Sequence, residues 1–237
     1  PVMRASSPIV IAHRGASGYL PEHTLAAKAL AHGMGANFIE QDVVLSKDGV
    51  AIVLHDIHLD STTDVAQRIP GRARADGRFY AIDFDIGEIR QLRVHERTHP
   101  KTGEAIFPER FPAQHALFQV PTLAEEIELL AGLDRSRGCT TGLYIELKSP
   151  NWHRREGQDL STAVLAVLEE TGHWNRPDQV FLQCFDDQTL IRLGQQLKAP
   201  LPMIQLIAEN DWGEDSAVDY DYLRTPAGLS YVASYAQ

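Results

Sequence analysis

The chain is poor in cysteine. It has two, Cys139 and Cys184, in 237 residues. Neither sits in a metal-ligand spacing, and two distant cysteines make no disulfide framework. They read as two unpaired thiols in or near the core, with a bond between them as the alternative. Long apolar runs are lacking too. No stretch approaches the ~20 residues that span a bilayer, so stable membrane insertion is not expected. No signal peptide is visible at the start, although a mature exported protein would look the same. Basic residues are outnumbered, with 22 Lys and Arg against 32 Asp and Glu and a net charge of −10. Nucleic-acid backbones require clustered cations, so no nucleic-acid partner is expected. A small anionic substrate held by a few cations or a metal fits this balance. Internal repeats and low-complexity tracts are absent.

What the chain does have is a rhythm. Its length suits one large α/β domain. Residues 9–12 are a short apolar run that reads as a buried strand, leading into His13-Arg14-Gly15. A helix follows over 24–34, then strands over 37–45 and 50–54. These two strands are separated by an Asp48-Gly49 turn, and the second ends in His55-Asp56. From 57 to 119 the rhythm breaks into Pro, Gly and scattered charge. Phe79, Tyr80, Phe84, Phe107, Phe111 and Phe118 give this stretch something to bury, so it reads as an insertion subdomain that starts where the strand ending in His55-Asp56 stops. Alternation then resumes. A capping box at Thr122 and Glu125 opens a helix to about 131, followed by a strand over 142–148 and a helix over 160–170. A strand over 179–185, a helix from 186 to about 197, a sixth strand over 203–208 and a helix from 225 complete the order. Strands alternating with helices mean parallel βαβ units, in an open doubly wound sheet or a (β/α)8 barrel. Polar residues at the ends of at least four strands suit the barrel better.

Glu40 and Asp42 are two apart on one strand and therefore share a face. Glu146 and Lys148 repeat that spacing on another strand. Three carboxylates with no cysteine or helical histidine pair point to a hard divalent cation, Mg²⁺ or Ca²⁺. A structural ion pair between Lys148 and Glu40 or Asp42 is the plainer alternative. His13 and His55 end strands that flank the acidic one, where a general acid and base belong. Phosphate-ester cleavage needs both, together with cations for the phosphoryl oxygens.

The ordered set His13-Arg14-Gly15, Pro21-Glu22-His23-Thr24, Glu40-Gln41-Asp42, Leu54-His55-Asp56, Glu146-Leu147-Lys148 and Gln183-Cys184-Phe185-Asp186 resembles the glycerophosphodiester phosphodiesterases. The long insertion and Tyr19 to Thr24 resemble the periplasmic-type bacterial branch. The resemblance implies one TIM-type (β/α)8 barrel domain over 1–237, lacking the last two βα units in this chain, with 57–119 as a subdomain within it. It implies metal-dependent hydrolysis of glycerophosphodiesters to glycerol 3-phosphate and an alcohol. His13 and His55 match the acid/base pair, and Glu40, Asp42 and Glu146 the ligands of the divalent cation. Arg14 and Lys148 match phosphate contacts, with Glu22 and Phe185 as further substrate contacts. His23 stands where Asn is more usual, with little consequence expected. A periplasmic or secreted location follows from the same likeness, with the cytoplasm as the alternative, and a homodimer is compatible with it. The alternatives are a phospholipase or sphingomyelinase-type lyase that forms a cyclic phosphate, and a surface-binding protein on the same scaffold.

Overall fold

The computed structural model describes residues 8–213 and 215–236. The N-terminal stretch in which no signal peptide is read lies outside them. The chain runs β1 (Ile11–Ala12), α1 (Leu25–Gly33), β2 (Phe38–Leu45), β3 (Ala51–Val53), α2 (Val65–Arg68), α3 (Ile86–Ile89), α4 (Leu123–Arg137) and β4 (Gly142–Leu147). It continues through α5 (Pro150–Arg155), α6 (Leu160–Glu170), β5 (Val180–Cys184), α7 (Asp187–Ile191), β6 (Met203–Gln205), α8 (Tyr220–Leu223) and α9 (Pro226–Val232).

The strands form one sheet in the order β1-β2-β4-β5-β6, all parallel, with β3 paired antiparallel to β2. Parallel neighbours in chain order, joined through helices, are the wall of a (β/α) barrel. One face of that wall is apolar. Ile39, Val43, Ile145, Leu147, Leu182 and Cys184 pack there with Leu123, Ile127 and Leu130 of α4 and Leu160, Val164 and Leu168 of α6. The other face begins with aromatics, Phe38, Tyr144 and Phe181, in edge and tilted contacts. The Phe38 ring lies over Gly142, where a Cβ would fall 2.1 Å from it. Above these aromatics, toward the C-terminal strand ends, the same face turns acidic.

Local signals explain most boundaries. Thr122 and Glu125 form the reciprocal capping box of α4. That helix runs six residues past its expected end, because Gly132 is tolerated inside it and Gly138 closes it in the left-handed conformation. Pro150 at the first turn of α5 is a helix-start signal the sequence reading passed over. Asp186 caps α7 through the Thr189 amide at 2.8 Å.

Two expectations change. Residues 9–12 do not form a buried strand: only Ile11 and Ala12 are extended in the sheet, and Ile9, Val10 and Ile11 are 68%, 55% and 41% exposed. β1 is paired on one side only among the described residues, so its apolar side chains meet water. The strand after the Asp48-Gly49 turn is also not a parallel barrel strand. Val43, Val44 and Leu45 pair with Val53, Ile52 and Ala51. Residues 57–119 therefore begin at the C-terminal strand ends because a hairpin projects past the barrel rim and returns to it, and not because a third parallel strand ends there. The cysteines are the two unpaired thiols expected, Cys184 buried and Cys139 exposed.

The hairpin is apolar on both faces, since side chains alternate. Val43, Leu45, Ala51 and Val53 face the barrel core, whereas Val44, Ile52 and Leu54 face a second core with Leu59, Val65, Phe79, Phe84, Ile89, Leu92 and Val94 of residues 57–119.

A buried polar cluster sits behind β2. Lys28 Nζ donates to both Glu126 oxygens at 2.8 and 2.9 Å and to the Glu40 carbonyl oxygen at 2.6 Å. Gln41 Nε2 donates to Glu126 at 2.8 Å. Lys28 and Glu126 are both 0% exposed. Glu126→Ala should therefore lower stability by ~3–5 kcal/mol, because it strands a buried ammonium. Lys28→Met with Glu126→Leu should cost much less. Urea unfolding of the three proteins measures both, and equal losses in the single and double variants would contradict the argument.

Candidate active site

The first side of the site is built by a tight loop after β1. Arg14 and Gly15 both take positive φ, 61° and 80°. A Cβ on Gly15 would lie 2.9 Å from the Ala27 carbonyl carbon, so only glycine lets α1 approach this closely. The turn aims the Arg14 amide at Glu40 Oε2, 2.7 Å away. Arg14 Nη1 donates to both Glu22 oxygens at 3.1 and 3.2 Å, and its Nε lies 3.6 Å from Asp42. His23 and Ser149 also hold positive φ, 60° and 46°. Three of the four such non-glycine residues among those described thus flank the strand ends, where backbone strain is often found at working sites.

The centre is carboxylate. Glu40, Asp42 and Glu146 are 3%, 0% and 7% exposed. Asp42 stands opposite Glu146 in the strand register, and Glu146 opposite Gln183. Burial, and next the Asp42 carboxylate, push Glu40 up to about 9 and Glu146 up to about 8. Burial also works against ionisation of Asp42, but His23, His55 and Lys148 outweigh it and hold that carboxyl well below the usual range. Lys148 Nζ donates to Glu146 at 2.7 Å and lies 5.6 Å from the centre of the Phe185 ring. Lys148 thus ion-pairs with Glu146, a partner the plainer alternative did not include.

This donor set fits a divalent cation. Asp42 Oδ1 is a buried acceptor with no hydrogen-bond partner among the described residues. Donor atoms of His23, Glu40 and Asp42 converge to within 4.8 Å of one another. Three acids sharing a buried face lack the positive charge that would let all ionise. His23 carries more here than its position in the sequence suggested. Its Nε2 lies 2.7 Å from Asp42 Oδ2, and burial pulls its pKa down to about 4. Facing an ionised Asp42, the ring donates through Nε2. A second cluster of His32, Asp134 and Cys139 lies at the opposite, N-terminal end of the strands. There Asp134 is already satisfied by His32 at 2.9 Å and by the Thr141 amide and hydroxyl at 2.9 and 2.8 Å.

The histidines sit on either side of the carboxylates. His13 follows β1 and is exposed; desolvation of its ring and then the Arg14 charge lower its pKa. His55 follows β3, and its Nδ1 lies 2.6 Å from Asp56 Oδ1. Two residues close this side that the sequence reading left out. One is Asp56, held far below the usual range: burial opposes ionisation, but the His55 hydrogen bond and the Arg97 charge prevail. The other is Arg97, delivered by the insertion, whose Nε and Nη2 grip Glu22 at 3.0 and 2.7 Å while Nη1 reaches Asp56 at 2.7 Å. Glu22, which burial alone would push up, falls to about 2 under the two arginines. Asp56 was legible as part of the Leu54-His55-Asp56 motif. No local signal marks Arg97, 41 residues away. Phe79 and Phe84 of the insertion are buried in its own core and do not wall the site.

Residues 13–237 match the Glycerophosphoryl diester phosphodiesterase family. The chain is 42% identical to a glycerophosphodiester phosphodiesterase of Haemophilus influenzae, covering 98% of this chain and 68% of that protein. Its identity to the Treponema pallidum glycerophosphodiester phosphodiesterase is 38%, over 98% of this chain and 69% of that one. A crystal structure from Silicibacter pomeroyi assigned to the same enzymes superposes with a TM-score of 0.70 and 27% identity, covering 98% of this chain and 74% of that chain. The barrel wall thus agrees with the match along the sequence: this chain belongs to the glycerophosphoryl diester phosphodiesterase family of phosphodiester hydrolases.

Proposed function

We propose that the site hydrolyses glycerophosphodiesters to glycerol 3-phosphate and an alcohol, with a divalent cation held by Glu40, Asp42 and Glu146. The observation that carries this reading is the convergence of three buried carboxylates, two cations and two histidines at neighbouring strand ends. The bound cation would supply Lewis-acid polarisation of a phosphoryl oxygen. Arg14 and Lys148 stand beside the carboxylates, where their charge favours the remaining phosphoryl oxygens. His13 is kept neutral by its lowered pKa, so its ring takes the proton of the attacking water. His55 donates Nδ1–H to Asp56, which leaves Nε2 facing the reaction. With the ring entering the step as the imidazolium, Nε2–H gives its proton to the leaving alcohol oxygen as the phosphorus–oxygen bond breaks, and the neutral ring left behind keeps Nδ1–H on Asp56. Residues 57–119 act within the 1–237 domain as a subdomain that closes one side of this mouth.

Incubation with glycerophosphocholine and Mg²⁺ or Ca²⁺, followed by phosphorus NMR of the products, tests the reading. Glycerol 3-phosphate and choline are the expected products. A cyclic phosphate would move the assignment to a lyase, and no turnover with either cation would leave a binding scaffold.

A further inference from the structure

Arg97 stands outside every motif discussed above, yet it is the only residue of 57–119 among those described whose side chain ion-pairs with Glu22. It is 41 residues from Asp56 and 75 from Glu22, and its side chain is 15% exposed. All three of its nitrogens that face the site are used. Nε and Nη2 form a two-pronged contact with the Glu22 carboxylate, and Nη1 takes Asp56 Oδ2. The geometry of the last contact matters most. Asp56 offers one oxygen to Arg97 and the other to His55 Nδ1, at 2.7 and 2.6 Å. A carboxylate pinned at both oxygens cannot rotate about its terminal torsion. The imidazole it holds is then fixed in both tautomer and plane.

Glu22 serves as the anchor for the arginine. It is 5% exposed and sits between Arg14 and Arg97. The fork-shaped contact is one that a lysine cannot reproduce. The backbone around Arg97 is tied as well. The Thr98 amide donates to the Ser61 carbonyl at 2.9 Å, and the Ile106 amide to the Arg97 carbonyl at 3.0 Å. The insertion therefore presents this guanidinium from a fixed frame and not from a free loop.

We infer that Arg97 is a positioning residue for the proposed reaction. Through Asp56 it fixes the orientation of His55, so that the insertion completes the proton-transfer side of the site. The inference rests on the assignment of His55 as an acid/base group. It does not rest on any contact between Arg97 and the substrate. His55, Asp56 and Arg97 form a chain in which each member orients the next, the logic by which a buried carboxylate orients a catalytic histidine elsewhere, here extended by one cation.

A double-mutant cycle on the full chain tests it. Arg97→Ala should lower kcat by ~10–100-fold, the usual size for loss of an outer partner, with KM little changed. In the His55→Ala background the same substitution should cost almost nothing more, because the residue it orients is gone. A merely structural arginine would cost the same factor in both backgrounds, and that result overturns the inference while leaving His55 in place. If His55→Ala itself keeps the wild-type rate, the assignment beneath the inference is what fails. A second readout needs no turnover. The proton on His55 Nδ1, bonded to Asp56, should give a downfield proton NMR resonance that His55→Ala removes. Arg97→Ala should shift or broaden it, and an unchanged resonance overturns the inference. Arg97→Lys keeps one charge but not the fork, so it should show an intermediate loss. It carries the same comparisons if the alanine variant does not fold, and wild-type behaviour on both readouts then counts against the proposal.

Discussion

Excess chelator should abolish diester hydrolysis by this chain, and added Mg²⁺ or Ca²⁺ should restore it. Glu40→Gln should weaken cation affinity by more than the ~10–100-fold seen when only an outer partner is lost. The expectation follows from charge. Glu40, Asp42 and Glu146 are buried on one sheet face, with Asp42 and Glu146 in register on neighbouring strands. The cations in reach are already engaged. Arg14 is spread over Glu22 and Asp42, and Lys148 is bonded to Glu146. Without more positive charge, burial and mutual repulsion resist ionisation of all three acids at once, and both push Glu40 and Glu146 up. A divalent ion removes that frustration. It should therefore raise the melting temperature in a concentration-dependent way, and Glu40→Gln should blunt the rise. Full activity in excess chelator, or a Glu40→Gln variant with the wild-type cation response, would defeat the assignment.

His55→Ala and His13→Ala should each lower kcat by ~10²–10⁴-fold, the range of acid/base assistance, equivalent to ~3–5 kcal/mol of barrier. His13 is exposed and His55 half-buried, so neither fills the core. Melting temperature and cation response should stay near wild type, which separates a chemical loss from a structural one. The two should also differ. Among the described residues no carboxylate is hydrogen-bonded to the His13 ring, whereas His55 leans on Asp56. Asp56→Asn should therefore reproduce part of the His55 loss and none of the His13 loss. If both histidine variants hydrolyse at near wild-type rates with cation bound, the acid/base pair has been placed wrongly.

What the sequence determined by itself was local. The shared face of Glu40 and Asp42 follows from a side-chain period of two. The start of α4 at Thr122, the hairpin turn at Asp48-Gly49 and the span of α6 follow from capping, turn chemistry and helical spacing. The βα alternation that makes the barrel wall is legible for the same reason: each rule acts over fewer than ten residues. The tertiary structure decided everything that depends on which distant surfaces meet. Nothing near residues 9–12 says that this apolar run pairs on one side only among the described residues, and burial depends on neighbours in space. Lys28 reads as one more helical surface lysine until α4 brings Glu126 against it, 98 residues on. His23 finds Asp42 through a backbone turn at positive φ that its side chain does not favour. Arg97 reaches Glu22 and Asp56 only because the hairpin is apolar on both faces. One face seals the barrel and the other draws residues 57–119 down onto it, and that packing sets the guanidinium beside the histidine.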